Sequence, residues 1–200
     1  MSVGPPPEVL PAKPATHRLN CGQLLVRIYD PERGGWSHGR VFGPLPIMRW
    51  DHHLPPPRAH RNRSVCYAAA SFQGAVGEAF ARLGFVDRGS QLRITLVRIV
   101  TPLDLLDLVG AGPRSIGLTQ EIAATTEYES CQTWARAIYE QYRGLHGIRW
   151  RGRQAGSICV VLTDRAPRSS LLLVSDHGLG DAVVWPRLAR AARRLRLGIL

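Results

Sequence analysis

Along residues 24–30, Leu24, Val26 and Ile28 alternate with Leu25, Arg27 and Tyr29, the period-two pattern of a strand with two different faces. Arg27 shares its face with Leu25 and Tyr29, so its guanidinium is expected to project into a cleft rather than into bulk water. A second strand is predicted over 64–70, feeding a helix through Ser71, a residue type favoured at helix N-caps. In that helix Phe72, Ala75, Val76, Ala79, Phe80 and Leu83 fall on one stripe at helical spacing. Gly74 and Gly77 interrupt it, each costing about 1 kcal/mol relative to alanine. Glu78 stands off the stripe, one turn after Gly74. A helix surface thinned beside a single carboxylate predicts a place where a ligand comes close, with Gly74 giving it room.

Farther on, residues 91–108 begin as a strand and turn at Thr101–Pro102. Residues 119–144 read as helix in two pieces that break around Thr125–Ser130, with Trp134, Ile138 and Tyr142 forming a buried stripe in the second. "HGIRW" reads as a turn, followed by strands over 157–164 and around 169–176. A final helix over 185–197 carries Pro186 in its first turn. It turns Leu188, Ala191, Ala192 and Leu195 inward and Arg187, Arg190, Arg193, Arg194 and Arg196 outward. Strands mixed with helices, without strict alternation, predict an α+β fold: a single domain with a mixed β-sheet core and flanking helices. Residues 1–20, rich in proline and without the apolar segment of a signal peptide, are expected to form a loose arm ahead of a domain over 21–200.

Composition narrows the class. With 44% hydrophobic and 20% charged residues among 200, the chain reads as globular and soluble, and no apolar run is long enough to span a membrane. The net charge is +11, and Lys13 is the only lysine among 26 basic side chains. Arginine-favouring codon usage accounts for such a bias. So does an anionic partner, whether nucleic acid, nucleotide or acidic protein. Cys21, Cys66, Cys131 and Cys159 make no CxxC pair and read as buried free thiols in a reducing cytoplasm. His52, His53 and His60 lack a spaced carboxylate or cysteine partner, so no metal site is expected.

The phosphate-binding, nucleophile-elbow and zinc-protease signatures are missing. What remains is Arg27 and Tyr29 on one strand, Arg40 in a glycine-rich loop, Tyr67 at a strand end and Glu78 on the helix. Arginines can hold a pyrophosphate, and a tyrosine can stack on a flat heterocycle. A carboxylate can stabilise the oxocarbenium-like centre that forms when a glycosidic bond breaks.

"VRIYD", "GRVFGPLP", "YAAASFQGAVGEAF", "YESCQTWARAI" and "HGIRW" follow one another in the order of the RES domain, which the chain resembles over about residues 21–165. Tyr67 and Glu78 keep the family's eleven-residue spacing. The resemblance implies a fold akin to ADP-ribosyltransferases and a bacterial toxin of a toxin–antitoxin pair. It implies an enzyme of the NAD glycohydrolase or NAD phosphorylase type, which cleaves the nicotinamide–ribose bond of NAD. NAD is then a substrate, with phosphate as co-substrate if the cleavage is phosphorolytic, and no cofactor is implied. The implied partner is a cognate antitoxin with a DNA-binding part, in a hetero-oligomer with the toxin. Carried over, Glu78 is the catalytic carboxylate. Arg27 and Arg40 bind the phosphates or organise the pocket, Tyr67 and Tyr29 contact substrate, and Ser130 matches a family pocket serine, with Glu129 the alternative for that column. The sequence departs from the pattern in two places. "GIRWRGR" puts Trp150 and Gly152 where members carry Tyr-x-Ser, with Ser157 out of register, and the loop over 44–63 is longer. Two other classes stay open: an ADP-ribosyltransferase acting on a protein, and an arginine-rich nucleic-acid-binding protein, for which no aromatics interleave with the arginines.

Overall fold

Aliphatic and β-branched runs assemble into a nine-stranded sheet in the computed structural model, which describes residues 3–37, 40–42, 47–56, 58–123 and 125–200, with only the backbone at 40–42 and 61. The strands are β1 (Thr16–Leu19), β2 (Leu24–Tyr29), β3 (Arg40–Phe42), β4 (His60–Ala69), β6 (Arg93–Ile99), β7 (Leu103–Leu108), β8 (Gly147–Arg151), β9 (Ile158–Thr163) and β10 (Leu171–Gly178). The spatial order is β1-β7-β8-β9-β4-β2-β6-β10, with β3 on β4. The β7–β8 pair is parallel and the others antiparallel, so the sheet is mixed as expected. Short strands β5 (Phe85–Val86) and β11 (Gly198–Ile199) pair separately.

The sheet is nearly divided. Six residue pairs join β2 to β6, whereas a single pair, Val26 with Ala69, joins β2 to β4. Beyond that pair the two strands part, so backbone pairing joins the two halves of the sheet at one point.

Helices α1 (Phe72–Phe80), α2 (Tyr128–Gln141) and α3 (Trp185–Arg194) share the main core with one face of the sheet. Val76 and Phe80 of α1, Trp134 and Ile138 of α2, and Leu188 and Ala192 of α3 meet Val26, Leu106, Ile148 and Val161 there. A smaller cluster on the opposite face holds Leu25, Cys66, Ile99, Leu103, Leu105 and Leu162. On α3 Leu188, Ala191 and Ala192 face inward and Arg187, Arg190, Arg193 and Arg194 are exposed as the pattern predicts, but the helix ends at Arg194 rather than at 197, leaving Leu195 and Arg196 beyond it.

Several expectations are corrected. The proline-rich start is pinned rather than loose. Val3 and Leu10 are buried, β1 pairs with β7, and the segment is gripped by α2, from Trp134 Nε1 to the Gly4 carbonyl (2.7 Å), and by Tyr142 just past that helix, from its Oη to the Pro11 carbonyl (2.8 Å). "HGIRW" is not a turn but supplies β8, whose residues face partners on both sides. Helix α1 stops at Phe80, leaving Leu83 60% exposed rather than on the buried stripe. No helix among the described residues is long and apolar enough to cross a membrane.

Candidate active site

Ser71 caps α1, its Oγ accepting from the Gly74 amide at 3.0 Å, and lies 2.7 Å from Ser157 Oγ on the β8–β9 hairpin. The glycines of α1 belong to this contact. A Cβ on Gly74 would lie 2.4 Å from Ser157 Oγ, and one on Gly77 would lie 2.9 Å from Ala155 Cβ. They seat the helix on the hairpin and do not clear a path for a ligand, which corrects the reading of Gly74.

That close seating presses Glu78 against a different glycine. A Cβ on Gly152 would lie 2.5 Å from Glu78 Oε1 and 2.7 Å from Cys159 Sγ. The Gln154 amide, on the same hairpin, points at Glu78 Oε1 from 3.3 Å. Glu78 is open to solvent through the cleft, yet protein walls replace much of the water around it and push its carboxyl above the usual range. The Gln154 amide and the charge of Arg49 pull in the other direction and are the weaker influences. Burial, and secondarily the charge of Glu78, drives the Cys159 thiol up to about 12, so it stays protonated beside the carboxylate.

Glu78 stands where two cavities meet. One, of about 420 Å³, opens where β2 and β4 part and is lined by Val26, Arg27, Tyr67 and Ala69 among others. The other, of about 530 Å³, is more polar and includes Gln132, Arg153 and Gln154. Arg49, Glu78, Arg82, Tyr128 and Trp150 line both. Arg49 is 9% exposed and has no carboxylate in ion-pair range among the described residues. Its Nη1 donates to the Ile122 carbonyl at 2.7 Å, and its guanidinium lies 5.1 Å from the Tyr128 ring centre. A buried cation held by a carbonyl and an aromatic face keeps its charge available to an anion.

Of the residues singled out in the sequence, Arg27, Tyr67 and Glu78 come together in this cleft. Arg27 reaches across the split, its Nη1 donating to Cys66 Sγ, and lies 5.6 Å from the Tyr29 ring centre. The Tyr67 hydroxyl accepts from the Trp50 amide (2.9 Å) and donates to Asp51 Oδ1 (3.2 Å), while its ring meets Trp150 edge-on at 6.0 Å. Tyr29 is placed elsewhere. It is buried, its hydroxyl donates to Asp176 Oδ2 at 3.0 Å, and it is not among the cleft-lining residues. Ser130 sits half-buried in the first turn of α2, and that helix sends Tyr128 and Gln132 into the cleft instead. The backbone of Arg40 pairs with Val65, and its side chain lies outside the described residues. The histidines gather no site: His52 stacks on Tyr139 at 4.0 Å, and no metal-holding group of His, Cys, Asp or Glu occurs among the described residues.

Sequence reasoning missed Arg49, Arg82, Tyr128, Arg153 and Gln154. Arg82 had a signal, since it follows Glu78 by four residues, one turn further on. Arg49 sits in a segment without periodicity and had none.

A carboxylate and several arginines thus converge where the mixed sheet splits at one strand pair. The chain belongs to the RES domain family, whose profile matches residues 24–180. Its α+β fold is that of a solved structure, the M. tuberculosis MbcT–MbcA toxin–antitoxin complex, with a TM-score of 0.60 over 90% of this chain and 91% of that one at 17% identity. No curated protein matches the chain in sequence.

Proposed function

We propose that the chain is a toxin that destroys NAD by breaking its nicotinamide–ribose bond. The observation that carries this reading is the position of Glu78: at the meeting point of two cavities, beside Arg49, Arg82 and the Tyr67–Trp150 aromatic wall. As the glycosidic C–N bond breaks, nicotinamide leaves with the electron pair and positive charge grows on the ribose. The Glu78 carboxylate stabilises that charge. The arginines neutralise the pyrophosphate, and the protonated Cys159 adds no competing anion. Water or phosphate then attacks the anomeric carbon, and a proton lost from water completes hydrolysis.

The likeness to a toxin–antitoxin complex supports a cognate antitoxin as partner. The polar second cavity favours one other reading, in which it receives an acceptor side chain and the ADP-ribosyl group passes to a protein. Incubating the chain with labelled NAD, with and without phosphate and candidate acceptor proteins, separates the outcomes. Free nicotinamide with ADP-ribose or its phosphate supports NAD destruction, label on protein supports transfer, and intact NAD in every arm refutes both.

A further inference from the structure

Arg49, Trp50, Asp51, His52 and His53 belong to no helix or strand, yet all five are buried. Loops usually keep their polar groups in water, so a buried polar run must find its partners inside the protein. Asp51, with no exposed surface, organises the first part of this run. Its Oδ2 accepts from the Ile47 and Met48 amides at 2.8 and 3.0 Å, and its own amide donates to the Met48 carbonyl at 3.3 Å. Its Oδ1 accepts from the Tyr67 hydroxyl, which in turn accepts from the Trp50 amide. Gln132 of α2 adds a bond from its Nε2 to the Met48 carbonyl at 3.0 Å. Together these bonds close a turn over residues 47–51 and tie it to β4 and α2. Arg49 is the one residue of that turn that lines both cavities beside Glu78, whereas Asp51 lines neither. A turn that served the fold alone would gain more from an apolar side chain at position 49 than from a buried cation.

We propose that Asp51 is a positioning residue of the site: through the turn it closes and the Tyr67 hydroxyl, it presets Arg49 as the anchor for the diphosphate of a dinucleotide. The proposal rests on the reading that the cleft takes NAD. Arginine is a long side chain, and fixing it before the ligand arrives removes an ordering cost from binding. The Ile122 carbonyl and the Tyr128 ring hold the guanidinium, and the Asp51 turn holds the backbone it grows from. A carboxylate suits position 51 because both of its oxygens act as acceptors. An amide there sets its NH2 group against the two backbone donors or takes the acceptor away from the Tyr67 hydroxyl.

Calorimetric titration of the full chain with ADP-ribose tests this, with inorganic pyrophosphate as a second probe. Asp51→Asn is expected to keep the fold and to raise the Kd for ADP-ribose about tenfold. Arg49→Met removes the anchor, and in that background Asp51→Asn is expected to change the Kd by less than about twofold, because the two residues act as one unit. Gly74→Ala, which strains α1 against Ser157, controls for a general loss of stability and is expected to leave the Kd of the folded protein unchanged. Tyr67→Phe keeps the ring that lines the cleft and breaks the same bridge, so it carries the test if Asp51→Asn does not fold. With NAD as substrate, the loss on Asp51→Asn is expected in KM rather than in kcat. Coupling of positions 49 and 51 in ADP-ribose binding would hold whether or not the chain cleaves NAD, so the two readings fail separately. Unaltered ADP-ribose binding by a folded Asp51→Asn chain overturns the proposal. So do effects that simply add to those of Arg49→Met, or a parent chain that binds neither probe.

Discussion

Glu78 is a carboxylate that the fold makes costly to ionise. Its carboxyl pKa is raised in the folded chain, so the folded state holds the proton more tightly than the unfolded state does. Its stabilising contribution is therefore present below the unfolded carboxyl range and lost as pH rises through the folded value. At neutral pH the ionised side chain is a burden on the fold. Glu78→Gln is accordingly expected to melt no lower than the parent at pH 7 while losing about 10²-fold or more in NAD turnover. Near-normal turnover in that variant would remove Glu78 from the mechanism. The glycines predict a contrast. Gly152→Ala forces a Cβ onto Glu78 and Cys159 and is expected to abolish activity, whereas Gly74→Ala collides with Ser157, away from the carboxylate. Gly74→Ala is expected to cost about 1–3 kcal/mol in denaturant unfolding and to leave the substrate KM of the folded fraction unchanged. Arg27→Lys is expected to lose nearly as much activity as Arg27→Ala, because a point charge cannot span from cleft to Cys66 as a planar fork does.

Elements with a strong internal period were legible in the sequence, and those whose form depends on distant partners were not. The alternation of 24–30, the Ser71 cap and the arginine-faced last helix are local signals, and each forms where it is read, the helix stopping at Arg194. β8 reads as a turn because "HGIRW" is short and polar, and it becomes a strand because β7 and β9 supply partners on both sides. The start of the chain reads as loose for the same reason: what holds it is Trp134, Gln141 and Tyr142, more than a hundred residues away. In the site, Tyr67 and Glu78 were visible through their spacing. Arg49 was invisible, because a backbone carbonyl and an aromatic ring fix it in a segment without repeat. The pinned start carries a prediction. Removing residues 1–12 exposes α2 and leaves Trp134 Nε1 without its carbonyl, and is expected to lower the melting temperature by several degrees. Unchanged melting would mean that the segment rests on the fold without supporting it.

For the whole molecule, pH and salt act through different parts. Burial lowers the pKa of His52 and His53, so unfolding releases side chains that take up protons more readily. Their contribution is intact above the unfolded histidine pKa of about 6.5 and is lost as pH falls from there toward the folded values. Urea midpoints are expected to drop between pH 7 and pH 5, and a His52→Asn variant to flatten part of that drop. Salt acts outside. The exposed arginines of α3 and the net charge of +11 are expected to speed encounter with an acidic antitoxin surface, so its association rate with the chain should fall as ionic strength rises. A rate insensitive to salt would assign the arginines to solvation alone.

The single ladder pair of Val26 with Ala69 has a mechanical side. With one backbone pair between them, the β2–β6–β10 half and the β4–β9–β8 half are stitched mostly by side chains, and the cleft lies along the stitching. Whatever fills it touches Val26 and Arg27 on one half and Tyr67 and Trp150 on the other, and so acts as a cross-brace. Occupancy would then register as slower amide exchange in strands remote from the ligand as well as beside it, and as a sharper unfolding transition. A molecule whose sheet is joined at one rung would be stiffest while it is bound.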